Sequence, residues 1–120
     1  LKNSVLRHPE IAHATCDARG RITQADARFC NWLGFDPQAI LQSRFVDILA
    51  PVSRRTVADA LERALERDCV VEARLLTKDL NERPLTLALA PIMSLGGAQG
   101  VTILATQAEQ QVAQVASRIA

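Results

Sequence analysis

The residues of this chain whose types could do chemistry are three cysteines, two histidines and a handful of acids. A cysteine nucleophile needs a neighbouring base to take its proton and an oxyanion donor to hold the intermediate. Cys30 falls instead between Phe29 and Trp32 in an apolar helical run, where a thiol behaves as a small hydrophobe. Cys16, Cys30 and Cys69 are odd in number and not closely spaced, which argues against a disulfide framework or a zinc site and favours a reducing compartment. His8 and His13 form a spaced pair that could ligate a metal, but no third His, Cys or acid stands at ligand spacing, so the simpler reading is two exposed or core histidines. Asp47 could be a buried acid with a perturbed pKa, although an acid in a short helix is more often a cap or a partner for a nearby Arg. Asp26 is better placed to cap its helix and bond across to a neighbouring loop than to react. The reading is a chain without catalytic residues and without a metal site, not an enzyme.

What could bind lies elsewhere. All three phenylalanines and the single tryptophan stand between Ile22 and Pro51. Large aromatic side chains bury the most apolar surface per residue, so the core, and any cavity in it, should form around this stretch. The candidate ligand-binding residues are Phe29, Trp32, Phe45, Ile48, Val57 and Leu61 from helices and Leu87 and Leu89 from the sheet. With few aromatics to fill the space between the two layers, and Ala, Val or Leu at many other core positions, an apolar pocket is expected there.

The 120 residues suit one domain with one core. Apolar residues at 48% and charged residues at 22% fit a soluble globular protein, and a formal charge of +1 leaves no footprint for nucleic acid. No segment approaches the roughly 20 apolar residues of a membrane helix, and the N-terminus lacks a signal-peptide pattern. Leu1 is not an initiator Met, and the final residues keep a helical pattern, so a piece of a longer polypeptide is expected.

The elements that must position these residues follow in order. Residues 1–10 carry Leu1, Val5 and Leu6 on one face of a short lead-in helix ending at Pro9. A strand over Ile11–Cys16 turns at Asp17-Ala18-Arg19-Gly20 into a short strand over Arg21–Gln24. Asp26 caps a helix carrying Phe29, Trp32 and Leu33, which stops at Gly34. Asp36-Pro37 starts a brief helix, and another covers Phe45–Leu49. The long helix has Ser53 as its expected cap, an apolar stripe of Val57, Leu61, Ala64 and Leu65, and an Asp59–Arg63 pair on its charged face. Three long strands then form a meander, with turns at Asp79–Glu82 and Gly96–Gly100, in which Leu85, Leu87 and Leu89 face the core and Thr86, Ala88 and Ala90 face outward. Residues 107–120 place Ala108, Val112, Val115 and Ile119 on a heptad-like seam, a linker helix in want of a partner.

Three blocks stand out within this order: Asp26, Phe29, Trp32, Gly34 and Phe35; Phe45, Asp47, Ile48 and Pro51; and Lys78, Asp79 and Leu80 followed by Pro91. In type and spacing they resemble a PAS domain over residues 11–106. The departures are Asp26 for the family's Asn, Gln42 for a common Gly, Leu80 for the turn Gly and Pro84 for a frequent aromatic. Leu80 would be strained if the turn requires positive φ.

The resemblance implies an α+β fold, a five-stranded antiparallel sheet with helices on one face. It also implies a cytoplasmic sensory or regulatory module of a bacterial signalling protein that takes a small apolar ligand, pairs as a homodimer, or does both. Light-sensing flavin relatives carry Asn-Cys-Arg-Phe where this chain has Gln42-Ser43-Arg44-Phe45, so the adduct-forming Cys is missing. Haem-binding relatives usually offer a His from the long helix, and residues 53–68 contain none. A flavin held without an adduct is the alternative left open; the expectation is no cofactor, no nucleic acid bound by the domain itself and no membrane contact. PAS-linked kinases and cyclases often continue the last strand into Asp-Ile-Thr, whereas Ala105-Thr106-Gln107 stands here. That favours a helix-turn-helix transcriptional regulator as the attached output over a histidine kinase or cyclic-dinucleotide enzyme. The rival from another class is a ligand-free interaction module with a filled core. Freshly purified protein should accordingly absorb only through its tryptophan; a band in the flavin or haem region would refute the cofactor-free reading.

Overall fold

The computed structural model describes residues 10–107; the lead-in and linker helices expected at the two ends fall on residues 1–9 and 108–120, outside the described residues. Strands β1 (Ile11–Asp17) and β2 (Ile22–Ala25) open the fold, and β3 (Cys69–Leu76), β4 (Glu82–Ser94) and β5 (Gly97–Gln107) close it. Between them run helices α1 (Ala27–Leu33) and α2 (Pro37–Ile40), a 3-10 turn at Phe45–Ile48, and helix α3 (Pro51–Arg63). All pairings are antiparallel in the order β2-β1-β5-β4-β3, so the first and last strands lie side by side at the centre.

Alternation along each strand decides which face receives the helices. Ala12, Ala14 and Cys16 of β1 stand in register with Ala105, Ile103 and Val101 of β5, and Ala105 and Ile103 with Leu87 and Leu89 of β4. These residues are buried, as are Phe29, Leu33, Ile40, Phe45, Leu49, Val57 and Ala60 from the helical layer above them. The prolines of β4 fall where a missing N–H does least harm. Pro84 precedes the β4–β5 ladder, which begins at Leu85, and Pro91 follows the last β3 partner, Leu89.

Local chemistry moves several boundaries from their expected places. Helix α3 starts at Pro51, with Ala50 as N-cap, because proline at the first helical position brings its φ already set. Ser53 therefore does not cap. Its buried hydroxyl accepts the N–H of Arg74 at 2.9 Å, tying the helix to β3. The helix ends at Arg63, earlier than the charged run suggests, and the Asp59–Arg63 pair does not form; among the described residues the ion pair is Arg74–Glu82, at 3.9 Å. The β4–β5 turn is tighter than the glycines imply, since Ser94 already pairs with Gly97. Gly100 belongs to the strand because a Cβ there would collide with the carbonyl oxygen of Cys16, so only glycine lets β5 lie this close to β1.

Among the described residues two non-glycines hold positive φ, Gln42 at 71° and Leu80 at 66°. A left-handed conformation costs a side-chain-bearing residue about 1–2 kcal/mol, against about 0.5–1 kcal/mol of extra chain entropy for glycine. Gln42→Gly should therefore raise unfolding free energy by about 0.5–1 kcal/mol in urea denaturation, because the exposed Gln42 contributes its backbone rather than its side chain to the fold. A loss of stability would contradict that reading.

Candidate functional site

Helix α1 places the first two candidate residues. The Asp26 carboxylate accepts the N–H of Phe29 at 2.8 Å through Oδ1 and the N–H of His13 at 3.0 Å through Oδ2. One side chain thus caps α1, a contribution of about 1 kcal/mol, and pins it to β1, a strand rather than the loop expected. At the other end Gly34 adopts φ 84° and returns its N–H to Cys30. Phe29 and Trp32 are consequently held against the sheet at a fixed height.

All eight candidate residues enter one buried cluster. Phe29, Phe45, Val57 and Leu87 are fully enclosed, Leu89 nearly so, and Trp32, Ile48 and Leu61 keep only a sliver of exposed surface. The rings of Phe29 and Phe45 stack with centroids 6.1 Å apart and planes 16° off parallel. Among the clefts on the described surface, Leu61 reaches one beside Gly20, Trp32 a polar one near Asn81, and Ile48 one beneath Phe35, while the other five candidates line none of these.

The chemistry-bearing side chains are dispersed. Cys16 is buried in β1 beside Val101 of β5, with burial, and secondarily the charge of Asp17, pushing its thiol up to about 12. Cys30 is raised as well, by burial first and then by Asp26 and Asp36. Thiols held protonated in this way are poor nucleophiles. The Cys69 thiol donates to the carbonyl of Ala60 at 3.4 Å. Asp47 is exposed in the 3-10 turn. Among the described residues, no three His, Cys, Asp or Glu side chains gather as a metal set, and no helix is long and apolar enough to cross a membrane. His8 lies outside those residues.

The family model described as the PAS fold matches residues 8–113. The chain is a PAS domain. Solved structures agree in fold. The PAS domain of a Colwellia psychrerythraea protein superposes with a TM-score of 0.74 at 16% identity, covering 81% of this chain and 85% of that one. Cycle PAS-B of Drosophila melanogaster, solved with bound ethylene glycol, gives 0.69 at 16% identity over 78% of this chain and 94% of its own. The PAS domain of an HTR-like protein from Haloarcula marismortui gives 0.68 at 18% identity, covering 88% and 91%. No curated protein matches the chain.

Sequence reasoning treated Lys78, Leu80 and Phe35 of this PAS domain as motif positions and passed over Arg21 and Arg44 as site residues. The structure brings all five to one cleft. The available signal was Leu80 itself, a large apolar residue where the family places glycine.

Burial of Cys16 has a pH consequence with a definite sign. The unfolded chain releases this proton near the ordinary value of 9.0, the folded chain only near 12, so across that window the unfolded state binds fewer protons and stability falls as pH rises. The slope from one such group approaches about 1.4 kcal/mol per pH unit. Cys16→Ala should flatten the alkaline limb of a stability–pH curve, and a thiol reagent at pH 8 should modify Cys69 before Cys16. Equal limbs in both proteins would exclude burial as the cause.

Proposed function

We propose that this PAS domain is a sensory or regulatory module that receives a small apolar molecule among Phe29, Trp32, Phe45, Ile48, Val57, Leu61, Leu87 and Leu89, and so controls an attached output domain. The observation that carries the reading is the convergence of α1, the 3-10 turn, α3 and β4 on this one apolar cluster. A guest entering it changes the spacing of every element at once. Small alanines on the inner sheet face, Ala12, Ala14 and Ala105, leave the aromatic pair as the main bulk above them. The bound ethylene glycol of Cycle PAS-B supports a small-molecule role for the fold. A helix-turn-helix regulator is the proposed output class, on the resemblance alone, with a histidine kinase or cyclic-dinucleotide enzyme as the alternative.

A second reading, pairing with a copy of itself, has its own observation. His13, Leu104, Ala88 and Val70 stand in register across four strands on the face away from the helices. Val70 is 70% exposed and Leu104 41%, with Ile11 at 43% in the adjoining row. Apolar residues aligned on one face mark an interaction surface, and a two-fold pair would bury the same row from both copies. Full enclosure of Phe29, Phe45, Val57 and Leu87 suits the ligand-free interaction module as well.

Two measurements separate these readings. A thermal-shift screen of small alcohols, fatty acids and aromatics should stabilise the wild type, and Leu87→Trp, which adds bulk to the cluster at a cost of about 1–3 kcal/mol, should abolish the shift. No stabilisation by any compound would leave the interaction module as the function. Val70→Lys with Leu104→Lys should raise the monomer fraction in sedimentation; an unchanged distribution would remove the outer face as the pairing surface.

A further inference from the structure

We infer that the cleft between α2, the 3-10 turn and the β3–β4 turn is a binding site for a small amphipathic anion, an aliphatic chain ending in an oxyanion head. The cleft has a volume of about 440 Å³, within the range of roughly 300–1,000 Å³ typical of small-molecule sites. Its apolar lining comes from Phe35, Ile40, Ile48 and Leu76. Arg21, Arg44 and Lys78 also line it, against the single carboxylate of Asp47, and none of the three cations is in an ion pair among the described residues. An apolar lining beneath a cationic rim complements a molecule with a greasy body and a negative end, and repels its cationic counterpart.

The rim is organised rather than merely solvated. The Arg21 guanidinium donates through Nη1 to the carbonyl of Gln42 at 3.0 Å, which holds the group in place while its other N–H donors stay available. Lys78 Nζ sits 5.9 Å above the Phe35 ring, so this cation is drawn over the apolar lining. Charge-assisted bonds from an arginine to an oxyanion are short and directional, which selects the head group.

Leu80 supplies the independent observation. It holds φ 66° and is 77% exposed, so it combines a strained backbone with a large apolar side chain in water. Glycine would relieve both. What the leucine provides in return is part of the cleft lining. Strain kept at a site where a smaller residue would do is a mark of function. The site is distinct from the eight core residues proposed above, of which Ile48 alone also lines it, and Ile40 is a second member of the buried cluster that reaches it.

The test is an amide-resolved NMR titration of the wild-type chain with sodium decanoate below its micelle concentration, with decanol and decyltrimethylammonium as controls. Decanoate should shift Phe35, Ile48 and residues 76–80 saturably, decanol should bind about tenfold more weakly or worse, and the cationic amphiphile should not compete. Arg44→Gln with Lys78→Gln should weaken decanoate about tenfold, and Leu80→Gly should weaken it while keeping or raising the thermal midpoint. Leu87→Trp should leave it unchanged. Decyl phosphate, run in parallel, reports whether the head is read as carboxylate or as oxyanion in general. The inference is overturned if decanol binds as tightly as decanoate, if the double Gln variant binds like wild type, or if no saturable shift occurs. It is equally overturned if the shifts centre on Leu87 and Leu89 and vanish in Leu87→Trp, a result that would instead support a ligand in the core.

Discussion

An open sheet leaves a row of unpaired N–H and C=O groups along each edge, and this domain meets both rows with one connecting segment. At the β2 edge Ile22 donates to Ser43 and accepts from Gln42, each at 2.8 Å, and Phe45 donates to Gly20 at 2.8 Å. At the β3 edge Arg74 accepts from Ala50 at 2.8 Å and donates to the Ser53 hydroxyl, and Leu49 bridges Leu75. Residues 42–53 therefore cross over the helical face as a strap from the first edge to the last. Exposed edges invite pairing with other chains, and a strap that occupies both removes much of that hazard while drawing the sheet around its contents. The positive φ of Gln42 follows from this geometry, since the chain must turn sharply to present both Gln42 N–H and Ser43 C=O to one residue of β2.

The strap also sets the core. Phe45 lies on it between the two anchor points and stacks on Phe29, whose own position is set by the Asp26 bonds to α1 and β1. The aromatic pair is thus held from two independent directions. Movement at either anchor reaches the other through close-packed side chains, because interiors of this density do not deform locally.

The fold was largely legible from the residues, and the reasons are physical. Alternation of Leu85, Leu87 and Leu89 reports burial on one face, Asp26 and Gly34 bracket a helix by cap chemistry, and the motif blocks keep their order over the whole domain. All eight proposed ligand residues share the buried cluster, because bulk apolar side chains in short helices have nowhere else to go. What was not legible depends on long-range partners. Ser53 reads as a helix cap until Arg74 is seen beside it, and Gly100 reads as a turn residue until the Cys16 carbonyl occupies its missing side-chain volume. The basic cleft is hidden for the same reason: Arg21, Arg44 and Lys78 are scattered in sequence and meet only after β2, the strap and the β3–β4 turn come together.

Arg44 and Ile48, which line the cleft, belong to the same strap that carries Phe45 into the core. The β3–β4 turn is tied in too, since Lys78 donates its N–H to the last carbonyl of α1 at Leu33. A ligand at the surface and a ligand in the core would thus press on one element from opposite sides. Tight binding alone would transmit nothing, because a ligand shifts an equilibrium only by its difference in affinity between two states. The strap is where such a difference would have to arise, since its edge hydrogen bonds join both sheet edges and Gln42 holds a positive φ at the β2 anchor. A head group held by Arg21 and Arg44 would sit at the same corner, as their main chains already form a bridge beside β2. Any coupling between the two occupants would act by the same free energy in each direction.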